Sequence, residues 1–221
     1  MRRALLIAPI LMVLAVLSGE ARAALPVVEE VEWAPFRDHC RQLLQALDKT
    51  GSPLPLKTVR ALTTLLDRRP DDPEAASAAV QKLLDAHCLI GVSINPESRV
   101  KAARGPAAVV LHRDRPKLVL IKVHNDGGVT HALRLHGPGL IHASERGEDR
   151  WLEAKLVTDA PFAAELTGRR VEYRLLRLTP RQSGKREATF QLDVGQGTQD
   201  LGFRAEVPIL FTVRKADWTS P

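Results

Sequence analysis

Apolar residues recur at helical spacing in the first part of the chain and at alternate positions in the rest. Phe36, Cys40, Leu43, Leu44 and Leu47 fall on one face of a helix predicted over 35–50, with Gly51 as its stop. A second helix comes after Ser52-Pro53-Leu54-Pro55, aligns Leu56, Val59, Leu62 and Leu66, and ends at Arg68-Arg69-Pro70. The third has Asp72 as cap and Pro73 at its first position. It carries a stripe of Val80, Leu83, Leu84 and Cys88 and is expected to stop at Gly91. Short amphipathic helices cannot bury their stripes alone, so these must pack on one another or on the remainder of the chain.

From about residue 92 the period becomes two. Ala188, Phe190, Leu192 and Val194 alternate with polar residues, and Val207, Ile209, Phe211 and Val213 do so again. Further strands are expected at 100–103, 107–112, 118–124, 129–136, 151–157 and 170–178. In the last of these a phase change between Leu175 and Leu176 reads as a bulge. Gly127-Gly128 reads as a hairpin turn, and 137–150 as an exposed loop. Short strands with Gly and Pro punctuation and no intervening helices predict an α+β chain: about three helices, then an antiparallel β-sandwich. The expected divisions are a leader over 1–23, a helical segment over 24–91, the sandwich over 92–216 and a tail over 217–221.

The leader is set apart by its own pattern. Arg2 and Arg3 precede an apolar run over 4–18, and Ala21-Arg22-Ala23 places small residues at the cleavage positions of a signal peptide. That run is shorter than the roughly 20 residues a bilayer demands, so export to the periplasm or beyond is expected, with no transmembrane segment once the leader is removed. The formal charge of +6 is unevenly spread: 24–90 carry a net −2 and 91–221 a net +6. The basic part would be drawn to an anionic envelope polymer or lipid surface, or its charges are simply solvated strand faces.

In an exported chain of 221 residues the two cysteines, Cys40 and Cys88, invite two readings. A disulfide between them would close a 49-residue loop, worth roughly 4 kcal/mol of chain entropy. Alternatively they are separate buried thiols. Five histidines, His112, His124, His131, His136 and His142, crowd into 31 residues, but no HxH or HExxH spacing brings two imidazoles onto one face. No metal site and no cofactor is therefore expected. The loop 193–200, with Asp193, Gly195, Gly197 and Asp200, lacks the following helix and the Lys-Ser/Thr pair of a phosphate cradle. No GxSxG occurs, neither cysteine has a basic context, and basic residues do not alternate with aromatics as a nucleic-acid platform requires.

Four runs carry a family likeness. They are 88–107, containing Ser93-Ile94-Asn95-Pro96-Glu97-Ser98-Arg99; Val123-His124-Asn125-Asp126-Gly127-Gly128-Val129-Thr130; Gly184-Lys185-Arg186-Glu187-Ala188-Thr189; and Gly195-Gln196-Gly197-Thr198-Gln199-Asp200-Leu201-Gly202-Phe203-Arg204. Over about 80–213 they resemble the N-terminal non-catalytic region of exported bacterial CehA/McbA-type, PHP-like metallohydrolases. In that group this region precedes the catalytic domain and supplies none of its metal ligands. The resemblance therefore implies an accessory region without its enzyme, and it singles out Asn95, Glu97, Arg99, Lys185, Arg186, Asp200 and Arg204 as binding residues. Arg99 or Arg204 could equally pair with Glu97 or Asp200 to pin strands together.

The expectation is thus an exported, non-catalytic accessory or binding protein that engages another protein or an envelope polymer, with no nucleic acid as partner. Two rivals stand beside it. One is a metal-dependent hydrolase using His124, His131 and Asp193 on the sandwich; the other is a structural module for a separately encoded PHP-like hydrolase.

Overall fold

The computed structural model describes residues 24–141, 150–195 and 203–215. Three helices come first: α1 (Trp33–Lys49), α2 (Leu56–Leu66) and α3 (Pro73–Asp85). The Asp72 side chain accepts the N–H of Ala75 at 2.9 Å, which caps α3 as its sequence implies. Nine strands come next: β1 (Cys88–Ile94), β2 (Val100–Arg104), β3 (Val110–His112), β4 (Lys117–Asn125), β5 (Arg134–His136), β6 (Leu152–Leu156), β7 (Val171–Pro180), β8 (Gly184–Asp193) and β9 (Ala205–Arg214). They form two sheets, β2-β1-β4-β7-β6 and β3-β9-β8-β5.

The α+β class and the element order are as the pattern predicts, but the sandwich is mixed and not purely antiparallel. Two of the seven strand pairings, β1 with β4 and β3 with β9, are parallel. Alternation reports burial on one face and is blind to strand direction. The chain crosses between sheets after β2, β3, β4, β5 and β7, with β1–β2, β6–β7 and β8–β9 adjacent within their sheets. The order β4-β7-β6 facing β9-β8-β5 is the B-E-D over G-F-C order of immunoglobulin-type sandwiches, with the β1–β2 pair added beside β4.

Three local expectations are corrected. α3 ends at Asp85, and Cys88 opens β1, because the β-branched residues of 90–94 pair with both β2 and β4. Gly91 is therefore mid-strand, its missing side chain leaving room for Leu25; a Cβ there would lie 2.6 Å from a Leu25 methyl. Gly127-Gly128 joins β4 to the opposite sheet and makes no hairpin. β7 has no bulge: its register with β4 runs unbroken from Val171 to Leu178. The two phases arise because β7 is buried on both faces. Val171, Tyr173 and Leu175 join the core under the helices, while Leu176 and Leu178 join the core between the sheets.

Three layers result: helices, five-stranded sheet, four-stranded sheet. The inter-sheet core centres on Ile90, Val92, Ile121, Val123, Phe190 and Phe211. The second core joins Phe36, Cys40, Leu43, Leu62, Leu66 and Leu84 to Cys88, Leu120, Tyr173 and Leu175. No described helix is long and apolar enough to cross a membrane.

Polar groups lock the helical layer in place. The Lys122 ammonium donates to Asp85 Oδ2 at 2.8 Å and to the Pro26 carbonyl at 2.7 Å, and Tyr173 Oη donates to Asp85 Oδ1 at 2.8 Å. The Gln81 side chain makes two hydrogen bonds to the Val28 backbone, at 2.9 and 2.8 Å. Burial pushes the Asp85 carboxyl up, against the pull of Lys122 and Tyr173. With both charges buried, each needs the other, so removing one leaves an uncompensated ion in the core.

Candidate functional site

The loops gather at two ends of the sandwich, and the residues singled out by sequence divide between them. At one end, the Asn95 side-chain oxygen accepts the N–H groups of Glu97 at 3.1 Å and Arg99 at 2.8 Å, shaping the β1–β2 turn. Glu97 pairs with Arg99 at 3.3 Å, and the Arg99 guanidinium lies 5.8 Å from the centre of the Phe203 ring. Against this turn sits 126–127, whose N–H groups donate to the Ile94 carbonyl. Only glycine fits at 127, since a Cβ would stand 2.5 Å from the Asn95 carbonyl oxygen. Arg170 ties the same end together, bonding the Glu29 carbonyl at 3.0 Å and pairing with Asp126 at 3.1 Å and Glu30 at 3.6 Å.

Asn95, Glu97 and Arg99 are thus joined in one turn, where they shape backbone and hold loops to each other. Arg204 is exposed beside Phe203. Asp200 lies outside the described residues, as does His142.

Lys185 and Arg186 stand at the opposite end, at the start of β8. There an open cleft of about 350 Å³ is bounded by Pro138, Gly139 and Trp151 on one side and by Lys185, Arg186, Glu187 and Thr189 on the other. That volume is at the lower end of the roughly 300–1,000 Å³ of ligand sites. The wall is built by glycine: Gly137 and Gly139, both at positive φ, let the chain run against the edge of β8, where the Thr189 N–H donates to the Pro138 carbonyl at 3.1 Å. The buried Trp151 indole donates to the Glu187 carbonyl at 2.9 Å and fixes the floor. Arg186 Nε donates to the Ser183 carbonyl at 3.2 Å, which orients the guanidinium at the cleft. Within 137–150, expected as exposed loop, Pro138 and Gly139 thus form a cleft wall; the Gly-Pro-Gly run was the available signal of close backbone approach.

The remaining reactive groups are sealed or scattered. Cys40 and Cys88 are free thiols, both buried, and burial raises each well above the ordinary thiol range. No bridge links them, which matches the separate-thiol reading. His124 lies 3.7 Å from Asp126 in the five-stranded sheet and His136 lies 3.7 Å from Asp193 in the other; burial lowers His124. His124, His131 and Asp193 are not brought together, and among the described residues no three His, Cys, Asp or Glu side chains cluster as metal ligands. Sequence reasoning missed the buried group Asp85, Lys122 and Tyr173. Its signal was a charge inside each of two apolar stripes and the chain's one tyrosine.

No protein-family model and no curated protein matches this chain. Among solved structures, the chain overlaps the cysteine protease inhibitor EhICP2 from Entamoeba histolytica at 12% identity, over 57% of this chain and 94% of that one, with a TM-score of 0.24. So loose an overlap carries no argument about what this chain does.

Proposed function

We propose that the protein is an exported, non-catalytic accessory or binding protein that engages another protein or an envelope polymer, and that the cleft carrying Lys185 and Arg186 is where it does so. One observation carries this reading. Among the residues that the CehA/McbA-type resemblance singles out, Lys185 and Arg186 line an open cavity, whereas Asn95, Glu97 and Arg99 are occupied in shaping a turn. A rigid two-sheet scaffold with a polar cleft at its end suits recognition, because binding residues on short, anchored segments lose little freedom when a partner arrives. The buried thiols and the dispersed histidines supply no nucleophile–base pair to that cleft.

The test is retention of an envelope component by the immobilised mature chain. Wild-type protein is expected to retain it, and the K185E/R186E variant to lose it while melting at the same temperature. Equal retention by both forms would refute the cleft assignment, and turnover of a substrate by homogeneous protein would refute the non-catalytic reading.

A further inference from the structure

The end of the sandwich that holds this cleft carries a concentration of cations. Arg113 and Arg115 sit in the turn after β3, Arg181 comes just after β7, Lys185 and Arg186 open β8, and Arg214 closes β9. Backbone bonds bring these segments together: the Arg113 N–H donates to the Arg214 carbonyl at 2.8 Å, and the Asp114 N–H to the Pro180 carbonyl at 2.8 Å. In register, Gly184 stands opposite Val213 and Lys185 opposite Thr212. Two carboxylates here are already engaged. Asp114 pairs with Arg113 at 3.1 Å and Arg181 at 3.5 Å, and Glu153 with Arg181 at 2.8 Å. A third, Glu187, lines the cleft, so among the described residues cations outnumber carboxylates at this rim. Arg115, Lys185, Arg186 and Arg214 have no ion-pair partner among the described residues.

At the opposite end Arg99 pairs with Glu97, and Arg170 with Asp126 and Glu30, while Arg169 and Arg204 are exposed. Crowded like charges at one rim raise the energy of the folded state unless an outside counter-charge completes them.

We infer that this rim docks an anionic glycan polymer, one bearing carboxylate or phosphate groups along its length, with the Lys185–Arg186 cleft seating a single repeat unit. The inference rests on the binding role proposed above and names the partner's chemistry. Charge spread over segments of both sheets fits a ligand whose anions are also spread, where a single small anion would need converging donors. A protein partner is disfavoured because interface cores rely on exposed aromatic and large apolar anchors, and Leu56 and Leu210 are the exposed large hydrophobic residues among those described. Leu56 and Leu210 lie on separate elements, α2 and β9, and one exposed leucine is too little apolar surface to enter a bilayer.

The experiment measures binding of the mature chain to immobilised alginate, to neutral dextran and to phosphatidylglycerol vesicles at about 20 and about 200 mM salt. Alginate is expected to bind and dextran not, with affinity falling by about tenfold or more across that range as counter-ions compete for the polyanion. R115E/R214E and K185E/R186E should each weaken alginate binding by about tenfold or more. R60E on the exposed face of α2 should not, and all three variants should keep the wild-type melting temperature. Equal binding to dextran, indifference to R115E/R214E, or binding to vesicles without alginate would overturn the inference. The two proposals separate cleanly. Loss of envelope retention in K185E/R186E without alginate binding in the wild type defeats the glycan and leaves the cleft. Alginate binding that needs Arg115 and Arg214 but not Lys185 and Arg186 supports the glycan and defeats the cleft.

Discussion

His39 offers the most direct check on how the helical layer is held. It lies on α1, almost wholly buried, and its Nε2 accepts the backbone N–H of Tyr173 at 2.8 Å. An acceptor in that position must be neutral, since a protonated ring would aim N–H at N–H. Burial, then the positive charge of Arg169 and, less, of Arg174, lowers the His39 pKa from 6.5 to about 4. Between those values the unfolded chain binds a proton that the folded chain refuses. Stability is therefore complete above pH 6.5 and is lost as pH falls toward 4, at about 1.4 kcal/mol per unit, or about 3 kcal/mol in all. Urea unfolding of wild type and H39Q at pH 7 and pH 5 reads this out. Gln places an acceptor near the Nε2 position and does not titrate, so it should cost about 1–2 kcal/mol at pH 7. The gap should then shrink or reverse by about 2 kcal/mol at pH 5. Asp85 and Glu172, whose carboxyls burial raises, titrate in both proteins and cancel from the difference. A wild-type-minus-variant difference that stays constant between pH 7 and 5 would refute the neutral, buried acceptor.

Other substitutions probe other joints. K122M strands the Asp85 carboxylate and should cost about 3–5 kcal/mol, of which K122M/D85L recovers a large part, as chemical denaturation of both will report. G127A drives a methyl into the Asn95 carbonyl and should destabilise by about 1–3 kcal/mol, whereas G128A meets open space and should cost about 1 kcal/mol through its positive φ alone; thermal melts of the pair compare them. L84A empties a fully buried site beneath the helices, with an expected loss of about 2–5 kcal/mol in urea unfolding. Cys40 and Cys88 should resist a thiol-specific reagent in the native protein and both react in denaturant without prior reduction; reaction only after reduction would establish a bridge.

Where periodicity was simple, it was readable. α1 and α2, the Asp72 cap of α3, and the alternating β8 and β9 each have one buried face, and one face is what a period of 3.6 or 2 reports. β7 defeated the same rule because helices cover one side and a sheet the other, so its apolar run carried two superposed phases. The parallel pairings were invisible, as they depend on which distant strand arrives alongside. At the candidate site, Lys185 and Arg186 were legible as a charged run at a strand start. The cleft was not, because its wall depends on Gly137 and Gly139 pressing backbone against backbone and on Trp151 reaching across 36 positions to Glu187. Asn95 was found for its neighbours' likeness and turned out to serve the turn itself.

Double-sided burial of β7 limits how the chain can be cut. Trimming away 24–85 would bare Val171, Tyr173 and Leu175 along with Leu120, and it would strip Lys122 of its counter-ion. Anyone grafting the two-sheet part onto another polypeptide must therefore transplant the three helices with it, or repaint that side of the sheet with polar residues first.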